Sequence, residues 1–516
     1  MSAALNFTNT SLLEIESRAA PDELLTFPHL GPPQRFGASG EHGDGSCVSS
    51  LDNAAKSPTM DEPFVKESHV LGPGHAKSNA AITNIVVAPS IVHPKTEYPP
   101  PKPSKPDTRN AIMVGPLPES QNMRRFRMCA SFVTLFLAGW NGGATGALIP
   151  YIEEAFNISY ARVAILFVST FFGYAAAAVA SGALARKVGF GRALLLAVTV
   201  ELIGNVINSS QQVSFSLMCF GFWVVGVAYA TQLGLCNAYF AILRRPLLYT
   251  GILHGIYGLG AFGSPLIATA MVTRGYPYHL FYLTNIGMNI PVFILIWLAF
   301  RGLQVLPSHP DEPQAANASD RRHLRETLSS KAVWTLAIFL MLYVGAEETI
   351  GGWIVSYVLT VRRGSPEGAS WVASCFYLGI AIGRIALPAL NTFMGERRAI
   401  FIYLTVAIAL EVVAWLVPAI ASTATATALV GLAISTFYTA AITTGGKLIP
   451  RHLHADAFAL ISSIGQLGSA FFPLLVGVLS SQKSIGIWIL EPTVLALLVA
   501  QGICWWFVPR VEKKVE

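Results

Sequence analysis

Met128-Cys-Ala-Ser-Phe-Val-Thr-Leu-Phe-Leu-Ala-Gly-Trp-Asn-Gly-Gly-Ala-Thr-Gly-Ala-Leu-Ile-Pro150 runs without one charged side chain. An α-helix of about 20 apolar residues crosses the ~30 Å hydrocarbon layer of a bilayer, so this stretch reads as a membrane span. A strand is excluded: the apolar run is continuous, without the two-residue alternation of a membrane barrel, and lipid offers backbone groups no partner. Working outward, such runs recur to the end of the chain, at 162–183, 192–210, 213–237, 249–273, 279–300, 332–360, 369–391, 399–420, 424–448, 456–481 and 486–508. The expectation is an all-α integral membrane protein of twelve spans.

Composition agrees, with 53% hydrophobic and 12% charged residues among 516. The charges are unevenly placed. Residues 1–120 hold 9 Lys/Arg and 13 Asp/Glu, which leaves 26 and 16 of the 35 and 29 for the rest, or −4 against +10. Residues 1–127 therefore read as a disordered polar tail, unable to bury enough surface to offset chain entropy, and the apolar patch at 82–92 is too short to span. No basic segment followed by an apolar one opens the chain, so no cleaved leader is expected. The cysteines at 47, 129, 219, 236, 375 and 504 form no C-x-x-C pair, and neither a disulfide framework, a metal site nor a cofactor is indicated.

Basic residues resist translocation. With the tail inside, twenty Lys/Arg flank the inner ends of the spans, whereas Arg162, Arg274, Arg362, Arg363 and Lys483 are the outer five. Both termini and the polar 301–331 linker are expected in the cytoplasm, as is the tail 509–516, and the plasma membrane is the expected location. The sequons at Asn157 and Asn208 then fall outside as glycosylation candidates; those at Asn6, Asn9 and Asn317 fall inside.

An offset of 206 residues superposes Gly139 on Gly345, Tyr151 on Tyr357, Gly173 on Gly379, Gly189 on Gly395 and Arg192 on Arg398. At 208, Ile256, Leu259, Gly260, Pro265 and Leu266 fall on Ile464, Leu467, Gly468, Pro473 and Leu474. Two parallel six-helix bundles follow, 128–300 and 332–508, with a substrate at their interface and rocking of the halves around it.

The stretch Gly182-Ala-Leu-Ala-Arg186-Lys187-Val-Gly189-Phe-Gly-Arg192 resembles the signature of major facilitator transporters between their second and third helices, with Gly395-Glu-Arg-Arg398 as its echo. The resemblance implies a cytoplasmic gate at Gly182, Arg186, Lys187, Gly189, Arg192, Gly395 and Arg398. Arg186 stands where the family usually has an acid, so a latch through that carboxylate is missing. Gly139-Trp-Asn141-Gly142, Tyr343-Val-Gly-Ala-Glu347-Glu348 through Trp353, and Gly383-Arg384 resemble the fungal bypass-of-stop-codon-type transporters, relatives of fucose permeases and sodium-dependent glucose transporters. Members of that group often carry Asp where this chain has Gly142; a coupling role for it must lie elsewhere here.

Ionisable groups within a span are functional candidates. Glu347 and Glu348 point about 100° apart on a helix, so one of them faces the substrate path. Glu347 is the leading coupling or binding carboxylate, with hydrogen bonding to a neighbouring helix as the bland reading and Glu348→Gln the milder change. Arg384 either snorkels to the cytoplasmic surface or pairs with Glu347 or an anionic substrate. His254 is a candidate proton relay, and Glu201 and Glu411 are expected to make structural hydrogen bonds on peripheral helices. Tyr229, Gln232, Cys236 and Tyr239 share one face of the fourth span; with Asn141, Tyr257, Trp353, Tyr357 and Gln466 they offer aromatic surface and hydrogen-bonding groups, suited to a sugar or to helix packing.

The expected function is secondary active transport of a small, sugar-like solute, with protons as the coupling ion. Export of a lipophilic metabolite is the alternative, and a membrane sensor signalling through the tail is a further one. Neither a Walker sequence nor an H-E-x-x-H or G-x-S-x-G motif occurs, which argues against ATP hydrolysis and against an enzyme. A nucleic-acid partner and an obligatory oligomer are not expected.

Overall fold

A computed structural model of the protein describes residues 119–211, 214–304, 306 and 320–510, with the side chains of 320–324 and 455 undescribed. The tail to residue 118, with Cys47 and the sequons at Asn6 and Asn9, lies outside these residues, as do Asn317 and the end beyond residue 510.

Among the described residues, twelve helices are long and apolar enough to cross a membrane: Gln121–Phe156, Tyr160–Val188, Phe190–Ser209, Phe215–Ala241, Pro246–Thr273, Tyr278–Phe300, Lys331–Thr360, Pro366–Met394, Glu396–Leu416, Ile420–Leu448, Asp456–Ser480 and Ile487–Phe507. They are called spans 1 to 12 below. Span 1 starts earlier than its apolar run. Ser120 caps it by accepting from the backbone N–H of Met123 at 3.2 Å, and the cationic turn beyond is held by Glu119, 2.7 Å from Arg127 and 3.7 Å from Arg124. Tyr239 also donates to Glu119, at 3.4 Å. Span 10 is broken between Ile434 and Phe437, and the linker contains a short helix, Asp320–Ser329.

The packing repeats as the sequence offset implies. Span 1 lies on span 5 and span 7 on span 11; span 2 on span 4 and span 8 on span 10; span 3 on span 6 and span 9 on span 12. Backbone approach explains the paired glycines: a Cβ on Gly173 would overlap the Trp223 carbonyl of span 4, and one on Gly379 the Ala428 carbonyl of span 10. Gly189 and Gly395 start spans 3 and 9 with φ of +92° and +83°, a region in which a side chain is strained. The peripheral pairs carry another echo. Asn285 donates to Asn205 at 3.0 Å between spans 6 and 3, and 206 residues later the carboxyl groups of Glu491 and Glu411 are neighbours between spans 12 and 9. Outward faces of these peripheral spans expose large apolar side chains such as Ile203, Ile290, Ile402 and Ile503, as contact with lipid requires.

Spans 1 to 6 meet spans 7 to 12 through spans 1 and 7, 2 and 11, and 5 and 8. At the end bearing Asn157 the contact is close. The Ala161 N–H donates to Ser481 at 2.8 Å, a Cβ on Gly146 would overlap the Gly351 carbonyl, and Trp353 packs on Tyr160 and Phe167. At the Gly189 end, span 2 is bare over residues 178–180, with Val179 84% exposed. A Cβ on Gly182 would touch only the Arg186 side chain of its own helix. Leu184, Ala185 and Val188 of the same stretch pack on their own bundle, whereas Gly182 makes no close approach to another helix in this conformation.

Candidate functional site

Spans 1, 2, 4, 5, 7, 8 and 11 enclose a cavity between the two groups of helices, and Glu201 of span 3 reaches its wall. Its polar lining is Asn141, Thr145, Thr170, Tyr174, Glu201, Tyr229, Tyr257, Glu348, Tyr377 and Ser469; Leu166, Phe167, Phe222 and Val225 form the apolar part. No Lys, Arg or His lines it among the described residues.

On the side of spans 1 to 6, the walls are held by amides. Gln232 donates to Glu201 at 2.8 Å, and Asn141 and Asn285 both donate to Asn205, at 3.4 and 3.0 Å. Glu201 thus makes the structural hydrogen bond expected of it and also borders the cavity. Tyr174, Tyr229 and Tyr257 form an aromatic strip, with successive ring centroids 5.6 and 6.0 Å apart. A Cβ on Gly142 would come within 3.0 Å of the Tyr257 hydroxyl, so the missing side chain in span 1 makes room for that phenol.

On the other side, Glu347 does not line the cavity. Its two oxygens lie 2.8 and 3.1 Å from one guanidinium nitrogen of Arg384, and Tyr343, one turn earlier, donates to the same carboxylate. Arg384 also donates to the Tyr343 hydroxyl at 3.2 Å and lies over the Tyr257 ring at 6.0 Å from its centroid. The guanidinium is thus an internal partner to Glu347 and does not snorkel. Glu348, the next residue, is the glutamate of span 7 that borders the cavity. His254 sits in span 5 within electrostatic range of Arg384, outside the lining.

The remaining candidates are elsewhere. Tyr239 is buried against Phe240 and Phe300 near the start of span 1, and Cys236 is buried in the same cluster. Trp353 donates to the Pro473 carbonyl at 3.0 Å within the closed end. Tyr357 lies under the Arg362 guanidinium, and the carbonyl of Gln466 accepts from Ser469 at 2.7 Å. Arg186, Lys187, Arg192 and Arg398 are exposed at the Gly189 end, and no ion pair to them occurs among the described residues. Of the two sequons, Asn157 is exposed in the turn after span 1, whereas Asn208 is 1% exposed and unable to carry a glycan in this conformation.

Tyr174, Tyr377, Thr145, Thr170 and Ser469 were not singled out from the sequence. The two tyrosines had a signal, since each lies within two residues of a glycine on which spans 2 and 4, or 8 and 10, close: Gly173 and Gly379.

The family profile of the Major Facilitator Superfamily matches residues 131–365 and 349–516. Bypass of stop codon protein 6 of Saccharomyces cerevisiae is 24% identical over 388 residues, covering 69% of this chain and 77% of its own. A glucose/galactose transporter of Brucella abortus is 21% identical over 404 residues, covering 74% and 94%. The crystal structure of the Escherichia coli fucose:proton symporter shares the fold at a TM-score of 0.55 and 13% identity, over 74% of this chain and 98% of that one. Twelve spanning helices, the repeated packing and the match over most of the chain make this protein a multi-pass integral membrane member of the Major Facilitator Superfamily, a transporter and not an enzyme.

Proposed function

We propose that the protein carries a small, uncharged, hydroxylated solute of the sugar type by alternating access, with a proton gradient as the driving force. The observation that carries this reading is the cavity: hydroxyls, an amide, two carboxylates and aromatic surface, without a basic side chain. Such a wall repels anions and suits a ring that stacks on tyrosine while its hydroxyls exchange hydrogen bonds. The relatives named for glucose, galactose and fucose support the solute class, and the one named a proton symporter supports the coupling ion. The close contact of the halves at the Asn157 end, with span 2 bare toward the Gly189 end, fits one of the two states that alternating access requires. The charge bias of the loops supports placing the Gly189 end and both termini in the cytoplasm of a cell whose plasma membrane holds the carrier.

Purified protein in liposomes should exchange labelled D-glucose, D-galactose, D-mannose or L-fucose and concentrate one of them under a pH gradient. Leu166, Phe167 and Phe222 favour a second reading, export of a lipophilic metabolite. Transport of an apolar compound with none of the hexoses moving would replace the first reading by the second.

A further inference from the structure

The two neighbouring glutamates of span 7 have different surroundings, and the difference bears on how a proton could be carried. Glu347 is balanced by Arg384 at 2.8 Å and bonded by Tyr343, all within spans 7 and 8. A proton on Glu347 would take from the guanidinium its ion-pair partner inside the bilayer. Glu348 has no ion pair or hydrogen bond among the described residues, and a proton there breaks no pair.

The groups that Glu348 faces can be named element by element. Tyr174 of span 2, Tyr229 of span 4, Tyr257 of span 5 and Tyr377 of span 8 line the same cavity as Glu348. The charged groups beside it are Glu347, its chain neighbour, and Arg384, which is paired with Glu347. Span 1 presents Asn141, Gly142 and Thr145, and span 11 Ser469, none of which titrates; Glu201 of span 3 borders the same cavity and is bonded by Gln232. Three of the four phenols belong to spans 1 to 6, whereas Glu348 belongs to spans 7 to 12. Rocking of one group of helices against the other must therefore change what surrounds this carboxyl, and leave the Glu347–Arg384 pair intact. Coupling requires a group of that kind, whose proton is held differently in the two states.

We infer that Glu348 is the proton-carrying carboxyl of the transport cycle and that Glu347 is a positioning residue, which holds Arg384 and, through it, Tyr257. This rests on the proton-driven reading above. One proton adds to the Glu348 carboxylate on the side from which the solute enters. It crosses as the neutral acid while the halves rock, and it leaves on the opposite side as the carboxylate is restored, so one proton accompanies one solute.

The test uses the full-length protein in liposomes with whichever of the four labelled hexoses gives counterflow in the unaltered protein. Glu348→Gln should abolish accumulation, so that label comes to equal concentration on both sides under a pH gradient. It should retain a measurable counterflow whose rate no longer differs between acid and alkaline buffer, and its thermal unfolding midpoint should be unchanged. Glu347→Gln should lower that midpoint and depress counterflow and accumulation together. Accumulation by Glu348→Gln overturns the inference, as does loss of counterflow along with accumulation in a variant that unfolds normally. If the unaltered protein exchanges a hexose but never concentrates it under a pH gradient, the proton-driven reading falls first and this assignment with it.

Discussion

Tyr343, Glu347 and Arg384 form a closed triangle: the first two lie one turn apart on span 7, and the third reaches across from span 8. Removing one partner of such a buried pair leaves the other charge unmatched, at a cost typically of about 3–5 kcal/mol. The side chains here are 14% and 12% exposed, so the lower end applies. The unfolding midpoint of Glu347→Gln in detergent should therefore fall clearly, and Glu347→Gln combined with Arg384→Met should recover most of the loss. A single variant as stable as the parent would show that the pair holds nothing together. Both residues could be picked out in the sequence because charge within a span is conspicuous, and the pairing could be named as one option. Which glutamate faces the cavity could not be read. The 100° between neighbours fixes their separation, while the rotation of the whole helix is set by side chains on spans 8 and 11 that one sequence does not place.

Among the elements, glycines with the same letter have different duties. Gly173 touches the backbone of span 4, and Gly173→Val should prevent stable packing, since overpacking alone costs about 1–3 kcal/mol and backbone here has nowhere to move. Gly182 touches no other helix, so Gly182→Val should leave the unfolding midpoint and solute binding unchanged. Slowed transport in that variant would locate a close approach in the opposite state; equal transport at equal expression would remove Gly182 from the gate. The repeat offset revealed the Gly173–Gly379 and Gly189–Gly395 pairs because backbone contact and positive φ leave a residue little choice. It could not reveal Tyr174 or Tyr377, whose counterparts at 206 residues are Ile380 and Phe171. Cavity linings need not repeat where packing does.

For the whole molecule, hydropathy fixed the number of spans because each must be long enough to cross and apolar enough to remain there. Loop charge predicts an orientation, with both termini in the cytoplasm, which labelling can check. With reactive native thiols removed, single cysteines placed at residues 5, 315 and 514 should stay unlabelled by an impermeant reagent in intact cells and label after permeabilisation. Labelling of any one in intact cells refutes the arrangement. Enzymatic deglycosylation should shift the protein only through Asn157. One small contact matters at this scale: Glu119, held by Arg127, Arg124 and Tyr239 at the entrance of span 1. Arg127 in turn donates to the Ala299 carbonyl of span 6 at 3.0 Å, so the junction is riveted to spans 1, 4 and 6 together. The start of span 1 is thus fastened to its own bundle through Glu119, and a trimmed version of the protein should be cut ahead of Glu119 to keep that anchorage.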